Sequence, residues 1–287
     1  MSDLVIVQIF NGLVLGMIYV LLAMGLTIVW GMMDIINFAH GLFYALGAYL
    51  SYTLVSVTGN FWLCFIFVPA ATALTGMLAE KVLLRHLYGQ NILYQILMTY
   101  GLALAGRELI IMIYNPVGKR FDVPDLLVGV VSIAGLYFPI YRVFVFALAL
   151  LLTFAMWLFI EKTKLGSVIR AGTENLDMVN CLGINISRVF TATFGMAMAI
   201  AGLGGVLAAP MRGVEPYMGD LILGICFATV VIGGMGSFIG AIIGGLIVGL
   251  SQSLITLVMP SASIIIIFVV MAVILLIRPR GLMGIRD

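Results

Sequence analysis

Charge is scarce in this sequence, and the scarcity decides its class. Only 9% of the 287 residues are Asp, Glu, Lys or Arg, against about a quarter in an ordinary soluble domain. Hydrophobic residues make up 63%, and mean hydropathy is +1.24. No stretch is polar enough to form a separate soluble domain, so the chain reads as one membrane-embedded unit over 1–287. The net charge of +2 is carried by scattered basic residues, which excludes a nucleic-acid footprint. Histidine occurs twice, as His40 and His86, and neither sits in an H-E-x-x-H frame. There is no G-x-S-x-G elbow, so no residue set looks catalytic. The G-x-x-x-x-G-K-[ST] phosphate loop is also missing, so any ATP that drives this protein binds another chain. Cys64, Cys181 and Cys226 lie far apart without metal-ligand spacing; they read as small apolar residues in or beside packed helices. No metal or cofactor site is expected in the chain.

Long apolar runs are abundant. A bilayer core takes about 20 apolar residues per helix, and by that measure there are roughly nine segments: 5–30, 37–57, 61–80, 92–114, 141–160, 189–210, 219–235, 238–258 and 262–277. The fold class is therefore all-α and polytopic. Segments 37–57 and 219–235 are flanked by Gly and polar residues and are the candidates for a broken or re-entrant helix. The first run follows Met1-Ser2-Asp3 with no basic region before it and no A-x-A site after it, and reads as a retained transmembrane helix. Lys81, Arg85 and His86 share one loop; Lys162, Lys164, Arg170 and Arg188 share another; Arg278, Arg280 and Arg286 follow the last segment. Basic loops face the cytoplasm, which places the N-terminus outside and the C-terminus inside. Lys119-Arg120, beside Asp122 and Asp125, is an exception on the outer side.

The outer connection 115–140 carries Pro116, Pro124, Pro139 and an apolar patch over 126–134, expected to pack on the outer face. Many of the 33 glycines lie inside apolar segments. Gly236, Gly240 and Gly244, Gly245 and Gly249, and Gly12 and Gly16 have the spacing that lets helices approach closely in lipid. The clusters 202–205 and 233–236 are denser than packing requires and suggest helix ends, breaks or a solute route.

Polar groups inside the segments are the candidate functional residues. Asp34, Asn37 and His40 lie at the junction of the first two segments. For Asn37 and His40 a polar break near a solute route and a plain turn are both open; for Asp34 the turn is favoured. Arg107-Glu108 in segment 92–114 reads as a structural pair. Arg212, Glu215 and Asp220 form either a solvated outer loop or a docking face for a periplasmic partner. Gln252 and Ser253 face the pathway or bond to a neighbouring helix. The inner loop 161–188 is the most polar stretch. Within it Thr173 is expected to cap a short helix with Glu174 and Asp177 in its first turn, stopped by Gly183. Leu176, Met178, Val179 and Leu182 give that helix an apolar stripe, suited to a groove on a cytoplasmic partner.

The stretch GLVLGMIYVLLAMGLTIVWGMMDIINFAHGLFYALGAYLS (12–51) resembles the opening of the permeases of branched-chain amino acid ABC importers, above all in INFAHG followed by LGAY. KLGSVIRAGTENLDMVNCLGINISRV (164–189) is similar to their cytoplasmic coupling segment, and IGGMGSFIGAIIGGLIVGL (232–250) and RPRGLMG (278–284) to their last helices and tail. The resemblance covers essentially the whole chain and fits the shorter of two permease types. It implies a multi-pass bacterial inner-membrane protein paired with a second related permease, two cytoplasmic ATPases that hold ATP and Mg, and a periplasmic solute-binding protein. It implies a coupling helix over 173–183, with Ala171, Gly172, Thr173, Glu174, Asn175, Asp177 and Gly183 as coupling residues. It also implies a pathway position for Asn37, His40, Tyr44 and Gln252. Leu42 stands where the family often has an acidic residue. Close relatives carry urea, short amides or aromatic acids, so these compete with hydrophobic amino acids as solute. A stand-alone secondary transporter or channel is the alternative class; it needs membrane-embedded carboxylates or a broken-helix ion site, and few such carboxylates exist here.

Overall fold

The apolar runs are helices in the computed structural model, which describes residues 2–133 and 135–284. These are α1 (Ser2–Met33), α2 (His40–Thr58), α3 (Cys64–Val82), α4 (Ile92–Tyr114), α5 (Ile140–Lys162), α6 (Lys164–Glu174), α7 (Leu176–Cys181), α8 (Ile186–Arg212), α9 (Met218–Gly233), α10 (Phe238–Ile255) and α11 (Ile265–Ile277). Each of the nine expected segments carries a helix. Among the described residues seven apolar stretches are long enough to cross a bilayer; α9 and α11 are shorter. With 16 and 13 residues, those two measure roughly 24 and 20 Å at the usual rise.

Helix ends follow from local chemistry. Asp34 adopts φ +52° and its N–H returns to the Trp30 carbonyl at 2.9 Å, closing α1 in the left-handed conformation that aspartate tolerates. Gly59 closes α2 in the same way. Side-chain caps start the helices that follow polar turns: Asn91 for α4, Thr163 for α6, Asn175 for α7, Asn185 for α8 and Ser237 for α10. The connection 115–140 holds something the apolar patch concealed: an antiparallel hairpin, β1 (Val130–Ile133) with β2 (Leu136–Pro139), in register Val130↔Pro139 to Ile133↔Leu136. Gly129 and Gly135, both at positive φ, bracket β1. The patch is not packed away: Leu126, Val128 and Val130 are exposed, and Phe138 supplies the buried contact. Ala134 and Arg286, counted in the sequence reading, lie outside the described residues.

The chain divides into two compact units, Met1–Met24 with Asp122–Ala155 and Gly224–Asp287, and Gly25–Phe121 with Met156–Leu223. In the first, Gly12 and Gly16 of α1 meet α10. A Cβ on Gly12 would lie 2.9 Å from Leu250 Cα, and one on Gly249 would lie 2.5 Å from the Gly12 carbonyl oxygen. Gly240 and Gly244 press on the end of α9. Gly236 does not belong to that ladder. It takes φ +78° in the turn between α9 and α10, so the 233–236 cluster is a helix end. The tail then pairs with that end, Leu282 and Met283 donating to the Ile232 and Gly233 carbonyls at 2.9 Å.

In the second unit α8 is the hub. α3 runs along it: a Cβ on Gly76 would meet Met198 Cγ at 2.5 Å. α2 crosses it in backbone contact, where a Cβ on Gly47 would lie 2.5 Å from Gly202 Cα and one on Gly205 would lie 2.8 Å from Ala48 N. The 202–205 cluster is therefore this crossing, within an unbroken α8. In lipid such close approach supplies the van der Waals contact that water-driven burial supplies elsewhere. Large apolar side chains on the far faces of α3 and α4, such as Phe67, Leu74, Leu97 and Met112, are left exposed by the chain itself.

Candidate functional site

The segment between α1 and α2 is folded into the second unit. Asn37 is 0% and His40 1% exposed. Asn37 Oδ1 accepts the Ala39 N–H at 3.0 Å, which starts α2, and Nδ2 reaches Met198 Sδ at 3.9 Å, midway along α8. The Thr99 hydroxyl of α4 approaches the Ile36 carbonyl at 3.2 Å. Non-helical backbone at such depth needs protein partners, and here α4 and α8 supply them. The His40 ring lies where Gly25 leaves room: a Cβ there would sit 3.1 Å from His40 Cε1. Tyr44, one turn on, is also buried against α8, its carbonyl facing Gly205. The structure thus brings His40 and Tyr44 of α2 and Asn37 of the turn before it into one buried group. α2 itself is continuous; the irregular part precedes it. Leu42 packs its side chain onto Gly106 of α4, an apolar contact that a carboxylate does not make.

Gln252 lies in the first unit, in a polar ladder between α1 and α10. Tyr19 donates to Gln252 Oε1 at 2.5 Å, Ser253 Oγ donates to the Gln8 carbonyl at 2.6 Å, and Gln8 Nε2 donates to the Ser253 carbonyl at 2.7 Å. Between pathway and neighbour, the side chain of Gln252 is engaged with a neighbouring helix. Arg142 of α5 joins this group by donating to Asn11 Oδ1; sequence reading passed over it, although a basic residue inside an apolar run is its own signal.

The polar loop 161–188 forms two short helices, and one expectation about it fails. Thr173 does not cap the second helix. It lies in the last turn of α6, where its hydroxyl donates to the Arg170 carbonyl at 2.7 Å. The cap is Asn175, whose Oδ1 accepts the Met178 N–H at 3.0 Å. Glu174 accordingly ends α6 and does not open α7; Asp177 keeps its place in the first turn of α7. Asparagine wins because it sits at an extended residue, φ −155°, directly before the turn, while Thr173 is still inside α6. Gly183, at φ +75°, stops the chain after α7 as expected. Ala171 and Gly172 belong to α6, and Gly172 rests on Met32 of α1, whose Cε would be 3.2 Å from a Cβ there. Met32 Sδ in turn lies 3.5 Å from Thr193 Oγ1 of α8. The apolar stripe divides: Val179 is 3% exposed, while Met178 and Leu182 are 69% and 78% exposed. Cys181 is exposed at the same tip, whereas Cys64 and Cys226 are buried, which corrects the uniform reading of the cysteines. Asn175→Ala is expected to loosen α7 by about 1 kcal/mol, and Thr173→Ala by less, since only the first removes a cap. Faster amide exchange over 176–181 in the first variant alone is the check.

At the other end of this unit, Arg107 of α4 reaches Asp220 in the first turn of α9, Nη1 to Oδ2 2.6 Å, and Glu108 at 3.4 Å, while lying 5.1 Å from the Tyr217 ring centroid. Arg107-Glu108 is thus a structural pair with a third member on another helix, and Asp220 is engaged in it. Glu215 is exposed beside Gly118. Lys119 and Val214 exchange backbone hydrogen bonds at 2.8 and 2.9 Å, tying the Lys119 segment to the loop between α8 and α9. Arg212 ends α8.

These apolar helices, with polar side chains such as Tyr19 and Gln252 bonded across a helix interface, define a multi-pass integral membrane protein. Residues 8–277 match the family model for the branched-chain amino acid transport system / permease component, and the chain belongs to that family. It is 31% identical, over 96% of its length and 95% of the relative's, to the high-affinity branched-chain amino acid transport system permease protein BraD of Pseudomonas aeruginosa. The corresponding protein LivH of Escherichia coli K12 is 30% identical over 96% of this chain and 94% of its own. The LivM permease protein of the same organism is 29% identical over 84% of this chain and 62% of its own. No solved structure matches the chain.

Proposed function

We propose that the chain is the LivH-type permease subunit of an ATP-driven importer that carries branched-chain or other hydrophobic amino acids across the bacterial inner membrane. Its partners are a related LivM-type permease, two cytoplasmic ATPase subunits that hold ATP and Mg, and a periplasmic binding protein that delivers the solute. The observation that carries this reading is the tip of α7: Met178 and Leu182 stand exposed while Val179 anchors the helix. An apolar tip on a polar loop fits the groove of a partner protein. In this reading the N-terminus is outside, the C-terminus inside, and 161–188 is a cytoplasmic coupling loop on a single permease domain. Asn37, His40 and Tyr44 lie beside the route, with Gln252 supporting it. Arg212, Glu215 and Asp220 sit on the face that receives the binding protein. The relatives' names favour amino acids over urea, amides or aromatic acids.

Cys181 offers a direct test. A membrane-impermeant maleimide should label it in inside-out vesicles and not in intact spheroplasts, and added ATPase subunits should protect it. Labelling from the outer side overturns the orientation; unchanged labelling with bound ATPases overturns α7 as the docking element.

A further inference from the structure

A buried carboxylate joins the end of α3 to the root of α8. Glu80, in the last turn of α3, is 0% exposed, and an ion there must be paired and hydrogen-bonded. Arg85 Nε and Nη2 face its two oxygens at 3.4 and 3.3 Å, Tyr88 Oη donates to Oε1 at 2.5 Å, and Thr191 Oγ1 to Oε2 at 2.6 Å. Arg85 Nη2 also donates to Thr191 Oγ1 at 2.6 Å, closing the ring of partners. The Thr191 proton has a second acceptor, the Ser187 carbonyl at 2.8 Å, and the charged oxygen is the stronger one. Tyr88 packs edge-on to Phe190, centroids 5.0 Å apart. Burial and the bond to Glu80 raise the Tyr88 phenol well above its ordinary range, so it stays a donor. Thr191 lies in the second turn of α8, and α8 is the continuation of α7 through the turn at Gly183. Further along α8, Met198 touches both Gly76 and Asn37.

We propose that Glu80, Arg85, Tyr88 and Thr191 are positioning residues for transport: they lock the root of α8 to α3, so that displacement of α7 moves both helices against the Asn37 segment. This rests on α7 as the ATPase-docking helix. Charge-assisted bonds at the root keep the lever stiff, whereas packing alone lets α8 slide on α3.

The test uses the whole importer, with both permeases, ATPases and binding protein, in proteoliposomes with leucine. Thr191→Val removes the hydroxyl that bridges to α8 and leaves Glu80, Arg85 and Tyr88 together. Complex assembly and ATP hydrolysis should persist, with half-saturation by loaded binding protein unchanged. Leucine moved per ATP should fall about tenfold, the scale of one lost charge-assisted hydrogen bond. Thr191→Ser should restore it, and Glu80→Gln should fall at least as far. Wild-type stoichiometry in Thr191→Val overturns the proposal, even where Glu80→Gln does not fold. A loss confined to thermal stability, with stoichiometry intact, overturns it too. A wild-type importer that binds no ATPase overturns the underlying reading as well, so the two failures are distinguishable.

Discussion

Gly205→Ala, and Gly47→Ala with it, should remove most of the folded protein from detergent extracts. A methyl on Gly205 overlaps the Tyr44 carbonyl and lies 2.8 Å from Ala48 N, and one on Gly47 lies 2.5 Å from Gly202 Cα. All these neighbours are backbone, so no side chain can swing aside and α2 must separate from α8. Overpacking typically costs about 1–3 kcal/mol where side chains yield; a backbone crossing belongs at the upper end or beyond it. The same separation lifts Tyr44 off α8 and exposes the Asn37 segment. Gly101→Ala is the matched control, because nothing lies within 4 Å of its Cβ position. Helix propensity there predicts a gain of up to about 1 kcal/mol. Size-exclusion yield and melting midpoint decide. Equal loss in Gly101→Ala and Gly205→Ala would mean that any helix glycine is sensitive and the crossing is not special.

The membrane architecture was legible because lipid imposes one rule, backbone satisfied within the segment, and that rule writes long apolar runs. Each of the nine runs carries a helix among the described residues. Glycine spacing also transferred, as Gly12 and Gly16 against Gly245 and Gly249 demonstrate. What spacing does not carry is the partner: Gly202–Gly205 suggested a helix end, a break or a solute route and is a helix crossing, while Gly236 looked like a ladder rung and is a turn. The hairpin at 130–139 was hidden because in a membrane protein its apolar residues look like packing surface. Thr173 is the cap the sequence suggests, but Asn175, two residues on, is a capping residue type too, and its extended backbone makes it the cap. Glu80 and Thr191 are 111 residues apart, a pairing no local pattern announces. Glu80 alone was visible as a carboxylate near the end of an apolar run, which is the signal to follow in such chains.

Met178→Asp together with Leu182→Asp should abolish capture of the ATPase subunits while the membrane helices fold normally. Magnitudes choose these residues over Glu174 and Asp177, the acids the sequence first suggested. Exposed ion pairs are worth up to about 1 kcal/mol each, so Glu174→Ala with Asp177→Ala should weaken docking by roughly thirtyfold at most. An apolar anchor seated in a partner's pocket is worth about 2 kcal/mol or more, and a carboxylate forced into that pocket adds a desolvation cost. Two such changes lower affinity by at least about a hundredfold, and uptake falls with it. Val179→Asp is a different experiment, because Val179 is buried against the protein's own structure; it should melt α7 and speed amide exchange over 176–181. Co-purification from a strain carrying all subunits, with yield of the permease pair as the control for folding, separates these cases. If the acid pair proves dominant and the Met178 and Leu182 changes are silent, the docking surface is the polar side of α7 and the apolar tip faces lipid.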